Sequence, residues 1–241
     1  MTSLIPPRSV QNPAGIHPAL WRGTQLAQAG RPTLSTGFPP LDAELPGHGW
    51  PMGALIELMP RQTGIGELFL LQPALAGLEP GRSVILLCPP YTPQFHCWVN
   101  WRLENRRLLW LAPKTPSDTL WAAETILRHN ACGALLCWAA APRAAALRRL
   151  HLAAQQSDTL FVLMRPPAAL QQASAAVLRM LLQPLPQGLE VHIHKRRGPL
   201  ASRPIPLSLY GPRLPAPPLP SDHVPLDQPL PAFLSARRHF A

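Results

Sequence analysis

Apolar residues fall in short runs along this chain, divided by clusters of glycine, proline and polar residues. Four runs are almost purely apolar: Ala54–Met59 (ALIELM), Ser83–Cys88 (SVILLC), Gly133–Trp138 (GALLCW) and Thr159–Met164 (TLFVLM), with Glu57 their one charge. Unbroken runs of this length predict strands covered on both faces, as in a parallel sheet between helices. Arg106–Leu111 predicts a further short strand. The intervening stretches have helical spacing. Glu67–Ala76 is largely apolar, and Gln94–Glu104 places Trp98 and Trp101 on one side. Asp118–Asn130 lines up Leu120, Ala123 and Leu127, with Ser117 or Asp118 as its expected cap. Pro142–Ala154 lines up Leu147, Leu150 and Ala154. Pro73 removes a hydrogen bond inside the first of these helices, so a kink or an early end is expected near Gln72. Val177–Leu182 and Leu189–Lys195 read as a hairpin turning at Gln187-Gly188. The order predicts an α/β fold: a mostly parallel sheet flanked by helices, with an antiparallel hairpin at its C-terminal edge.

Proline sets the outer limits of that pattern. Residues 1–33 are punctuated by Pro and Gly and read as a partly ordered arm, with a short helix starting near Pro18. Ten prolines lie between Pro204 and Pro231, which favours polyproline II or coil and a fall in order after Gly198. The expected division is an arm (1–33), a core domain (34–198) and a basic, Pro-rich tail (199–241). No apolar run approaches the ~18–20 residues that span a bilayer, and MTSLIPPRSV has no apolar signal region. These features give an expectation of the bacterial cytoplasm, with no membrane partner. Cys88, Cys97, Cys132 and Cys137 include no C-x-x-C pair and read as core thiols rather than a metal site.

The formal charge of +10 changes the picture mainly through its distribution. Residues 1–33 carry three Arg and no acid, 34–194 twelve bases and ten acids, and 195–241 seven bases and two acids. Most of the excess therefore sits at the two ends, where it suits a polyanion such as DNA. The chain is also rich in Pro and Ala and favours Arg over Lys, which compositional bias alone would produce. Lys195, Arg196 and Arg197 form the densest basic run. They read either as phosphate contacts, for single-stranded DNA, or as a solvated strand end.

The candidate chemistry centres on Pro60, Arg61, Gln62, Thr63, Gly64, Ile65, Gly66 and Glu67. A strand, a glycine-bearing loop and a helix follow one another here, which is how a P-loop presents phosphate to a helix N-terminus. The side chains of G-x-x-x-x-G-K-[ST] are missing: Gly66 stands at the lysine place and Glu67 at the Ser/Thr place. The lysine would neutralise the β- and γ-phosphates and the hydroxyl would hold magnesium. The expectation is a degenerate loop that binds no cofactor and catalyses nothing. His192 and His194 share one face of their strand and read as its polar side, not as metal ligands. No Ser/His/Asp grouping has the context of a nucleophile. Phe233, Leu234, Arg237, Arg238 and Phe240 are a candidate partner-docking motif at the end of the tail, or a frayed terminus.

Several pieces carry a resemblance in order and spacing: Ser35-Thr36-Gly37, Leu41-Asp42, Gly53–Glu57, Glu67–Leu75, Trp98-Val99-Asn100, Ala131–Trp138, Phe161–Pro166 and Lys195-Arg196-Arg197-Gly198. Together they resemble the RecA-like ImuA family of translesion DNA synthesis, and also the SulA family of cell-division inhibitors. The long N-terminal approach, the KRRG segment and the proline tail favour the ImuA type. The resemblance implies a RecA-like core. It also implies that acids should stand at the ends of the second and fourth strands if the fold is to hydrolyse ATP. Pro89-Pro90 follow the second strand here, and Cys137 and Trp138 close the fourth. The implied role is a non-catalytic adaptor, induced in the SOS response, that works with the inactive Y-family polymerase homologue ImuB and indirectly with a replicative-type polymerase. DNA and RecA itself are further candidate partners. The SulA resemblance implies instead an inhibitor that binds the tubulin-like FtsZ.

Overall fold

The computed structural model describes residues 32–94, 98, 101, 103, 108–199 and 203–209. Its centre is the strand β3 (Ala54–Pro60), every residue of which is buried. Side chains alternate across a strand. Ile56 and Leu58 therefore enter one core and Leu55 the other. The first core packs beneath α1 (Pro39–Glu44) and α2 (Glu67–Ala76), through Leu41, Leu70, Leu71, Ala74 and Leu75. The second packs beneath α3 (Pro116–Arg128) and α4 (Ala144–Ala154), through Ala123, Leu127, Leu147 and Leu150.

Around β3 lies an eight-stranded sheet. The other strands are β4 (Val84–Leu87), β5 (Leu108–Leu111), β6 (Ala134–Trp138), β7 (Leu160–Met164), β8 (Leu178–Leu185), β9 (Gly188–Lys195) and β10 (Ile205–Ser208), in the order β10-β9-β8-β3-β7-β6-β4-β5. Pairing is parallel from β8 through to β5, and antiparallel for β8–β9 and β9–β10. A separate two-stranded ribbon, β1 (Thr33–Leu34) with β2 (Trp50–Pro51), precedes β3. The mostly parallel sheet with a C-terminal antiparallel hairpin is thus as expected.

The local geometry corrects several expectations. Pro73 neither ends nor shortens α2, which continues to Ala76 and stops at Gly77. Its ring instead packs on Gly37: a Cβ built at Gly37 would lie 2.4 Å from Pro73 Cβ. Gly37 also has φ +79°, a conformation that glycine adopts without strain. The cap of α3 is Thr115, one turn earlier than Asp118. Its side chain accepts the Asp118 N–H at 3.1 Å, and Pro116 follows in the first turn, where its missing donor costs nothing. Helix α4 begins at Ala144 rather than Pro142. The hairpin turns at Pro186–Gln187, and Gly188 is already the first residue of β9, opposite Leu185. It has no room for a side chain, because a Cβ there would meet the Leu207 carbonyl oxygen at 2.0 Å. Order also does not fall at Gly198. β10 adds an edge strand beyond it, with Ile205 and Leu207 buried, and Pro206 is tolerated because an edge leaves one side of the ladder unused. Among the described residues of the expected helix at 94–104, Trp98 is buried in the first core, and Trp101 stacks edge-on against Trp98 and Phe69.

The segment Ser35-Thr36-Gly37…Leu41-Asp42 acquires a physical reason. The Asp42 carboxylate accepts the Ser35 hydroxyl at 2.7 Å and the Thr36 N–H at 2.9 Å. Leu41 beside it is fully buried. One residue ties down the turn and the next anchors the helix.

Candidate functional site

The loop after β3 leaves the carboxyl end of the central strand, where open α/β sheets place their ligands. Gly64 and Gly66 both have positive φ, +87° and +115°, which turns the backbone into α2 with its amides converging at the helix start. In a phosphate-binding loop those amides receive the anion. Here they receive the chain's own carboxylate. Glu67 Oε1 accepts the Gly64 N–H at 2.8 Å, and Oε2 accepts the Gly66 N–H at 3.2 Å. The side chain is nearly buried, 4% exposed. Leu209, following β10, closes the same loop from another side: a Cβ at Gly66 would lie 2.6 Å from its Cδ1. The Glu67 carboxylate thus takes the amides that a phosphate-binding loop offers to its anion.

Beside the loop, a cleft of about 420 Å³ opens at the carboxyl ends of β3, β6 and β7. Arg61, Gln62 and Thr63 line one side, and Trp138, Met164 and Pro166 another. Among the described residues, no carboxylate lines it. The ends of β4 and β6 carry Cys88 and Trp138. Cys88 has φ +55° and places its Sγ 3.2 Å from Thr119 Oγ1. Burial pushes the Cys132 thiol up to about 12 and the Cys137 thiol higher still, neighbouring Cys88 adding to the latter. Both therefore stay protonated and inert, as core thiols do.

A second polar cluster was not foreseen from the sequence. β7 and β8 run parallel on opposite sides of β3, so residues 165–177 must return across one face of the sheet. They do so without an α-helix, holding only a 3₁₀ turn at Pro167–Gln171. An irregular crossover leaves backbone carbonyls to be satisfied by side chains. Arg179 Nη2 donates to the Ala169 carbonyl at 2.6 Å. Its Nε donates to Glu57 Oε2 at 2.6 Å, and Arg165 Nη1 donates to Glu57 Oε1 at 2.9 Å. Ser174 Oγ donates to the same Oε1 at 2.8 Å, and Arg165 Nη2 to Gln172 Oε1 at 2.6 Å. The Glu57 and Arg165 side chains are fully buried, and Arg179 is 10% exposed. The only sequence signal was the single acid in β3; neither arginine stood out, because their partner is more than 100 residues away.

The basic run after β9 is divided by the fold. Arg196 pairs with the Glu44 carboxylate at 2.9 Å and also donates to the Glu44 carbonyl, leaving its side chain 12% exposed. Lys195 donates to the Ser174 carbonyl at 3.0 Å and is otherwise exposed, as is Arg197. His192 contacts Glu190 at 2.7 Å. Partial burial, then His192 and Arg179, hold His194 below the usual histidine range. No group of three or more metal-ligating side chains occurs among the described residues. The tail candidates Phe233, Leu234, Arg237, Arg238 and Phe240 lie outside the described residues.

The fold defines a class, an α/β protein with a mostly parallel eight-stranded sheet flanked by helices, in which the loop from the central strand to α2 is held by its own Glu67 carboxylate. No family model and no curated protein matches the chain. Among solved structures it is similar to SulA from Pseudomonas aeruginosa, at 24% identity over 46% of this chain and 97% of that one, with a TM-score of 0.39. At that score the likeness assigns neither fold family nor function. No helix among the described residues is long and apolar enough to cross a membrane.

Proposed function

We propose that this chain is a non-catalytic adaptor of RecA-like architecture that acts in damage-induced, translesion DNA synthesis by binding an ImuB-type polymerase homologue. The observation that carries the non-catalytic half is the self-filled cradle: Glu67 takes the Gly64 and Gly66 amides that a triphosphate would need. Phosphoryl transfer depends almost wholly on positioning and charge stabilisation. A loop with a carboxylate in the phosphate position, no lysine and no acid at the ends of β4 and β6 supplies neither. The repair half rests on the sequence resemblance. The central strand, loop and helix, with parallel strands on both sides and a closing antiparallel hairpin, support the RecA-like reading.

Two measurements test it. Titration calorimetry with ATP and magnesium should give no saturable heat; turnover by a pure sample would overturn the reading. Affinity purification of the tagged full chain from DNA-damaged cells should recover a polymerase-like partner. Recovery of FtsZ without one would move the function to division inhibition.

A further inference from the structure

We propose that the turn leaving β9 contacts the phosphate backbone of DNA through Lys195, Arg197 and Arg203, and that Arg196 takes no part. The proposal rests on the reading of the chain as a DNA-associated adaptor and gives that reading a surface.

Lys195 ends β9 and three more bases, Arg196, Arg197 and Arg203, lie between it and β10, and the fold treats them differently. Arg196 is spent on Glu44, carboxylate and carbonyl together, and is largely withdrawn from solvent. Lys195 gives one bond to the neutral Ser174 carbonyl, which positions the ammonium without cancelling its charge. Arg197 and Arg203 are exposed and make no ion pair among the described residues. Register brings the three together. Ile205 pairs with Val191 in antiparallel sense, so Arg203, two residues before Ile205, returns level with Ile193, two residues from Lys195. Of the described acids, Glu44 is paired with Arg196, and the Glu190 carboxylate is held by His192. Among the described residues, three charges without an ion pair therefore share one end of the sheet.

The chemistry favours a nucleic-acid backbone over an acidic protein. A protein partner needs buried apolar or aromatic anchors at the centre of its interface, and the described residues beside Lys195, Arg197 and Arg203 in this turn are Arg196, Gly198, Pro199 and Pro204, none of them aromatic and none buried. A polyphosphate needs no anchor, because it gains affinity by releasing condensed counterions. With no aromatic in the described turn to stack on a base, the contact is to phosphate and is indifferent to sequence.

Fluorescence anisotropy of the full-length chain with labelled single-stranded and duplex oligonucleotides, across a salt titration, tests this. The basic arm and tail contribute binding of their own, so the readout is the change in salt slope. Each phosphate neutralised on a single strand contributes ~0.7 to that slope. Lys195→Gln/Arg197→Gln/Arg203→Gln should therefore lower it by about two. Arg196→Gln should leave the slope unchanged and lower the melting temperature. The drop in affinity of the triple variant should be the same on oligonucleotides of unrelated sequence. An unchanged slope in the triple variant, an equal drop in Arg196→Gln, or wild-type binding that does not respond to salt would overturn the proposal. If the triple variant fails to fold by circular dichroism, Arg203→Gln alone is read, with an expected decrease of about 0.7. Partner recovery from damaged cells judges the adaptor reading separately. A negative result here with a polymerase-like partner recovered removes the surface and leaves the adaptor.

Discussion

Three side chains converge on the Glu57 carboxylate. It accepts from Arg165, Arg179 and Ser174 in a site closed to water. Two guanidiniums and one carboxylate are no more stabilising than well-packed apolar side chains would be, because desolvation offsets their attraction. Breaking the group is a different matter. Glu57→Leu would leave two buried cations without a counter-charge and should cost about 3–5 kcal/mol, seen as a lower urea midpoint. A cost below ~1 kcal/mol would mean that water reaches the site. The thiols make a second residue-scale prediction. Iodoacetamide labelling of the native chain at mildly alkaline pH, read peptide by peptide, should modify Cys88 well before Cys132 or Cys137. The latter two are buried and held protonated, so denaturant should abolish the difference. These residues also mark the limit of what the sequence made legible. An apolar strand announces itself through its neighbours, and so does a missing lysine. A charge such as Glu57 is explained only by Arg165 and Arg179, which reach it through the fold.

Elements were more legible than their ends. Strands β3 to β9 and helices α2 to α4 fell where hydrophobic patterning placed them, because burying a stripe or a face is a local property of the sequence. The two-residue strands of the ribbon and the edge strand β10 were not legible, being too short or too rich in proline to show a pattern. The ends depended on contacts that periodicity does not register. Pro73 should kink or end α2 early on backbone grounds, yet the helix runs on to Ala76 and the ring fills the space against Gly37 that any side chain at position 37 would need. Gly37→Ala should therefore destabilise by more than about 1 kcal/mol, since it combines a positive φ with that overlap. The start of α3 offers a milder case. Thr115→Ala removes the acceptor of the Asp118 N–H and should cost about 1 kcal/mol, whereas Ser117→Ala should fall within error. Thermal melts of the two variants side by side would distinguish the caps. The loop at Gly64–Glu67 belongs to the same scale. The absent lysine was readable in the sequence, but the bonds from the Gly64 and Gly66 amides to Glu67 were not, because the same carboxylate could have pointed into solvent.

At the scale of the molecule, the sheet has two edges and treats them differently. β5 ends one side with Leu109, Trp110 and Leu111 all exposed, an apolar edge without proline or charge. β10 ends the other with a proline, a device that blunts further strand addition. The sequence places the end of order at Gly198 because proline density rises there, and proline density is a poor guide at an edge, where half the backbone bonds are not required. β10 buries Ile205 and Leu207 against the first core, and Leu209 behind it packs on Gly66 of the cradle. Burying an aliphatic side chain is worth about 1.5–3 kcal/mol, so removing these two should cost on the order of 3–6 kcal/mol and uncover β9. A chain ending at Leu209 should keep the cooperative thermal transition of the full chain. One ending at Gly198 should melt at a markedly lower temperature and, with β9 unpaired, associate as concentration rises. Equal melting temperatures for the two truncations would show that β10 is an ornament on the sheet. A drop already at Leu209 would move the boundary of the fold into the proline-rich segment.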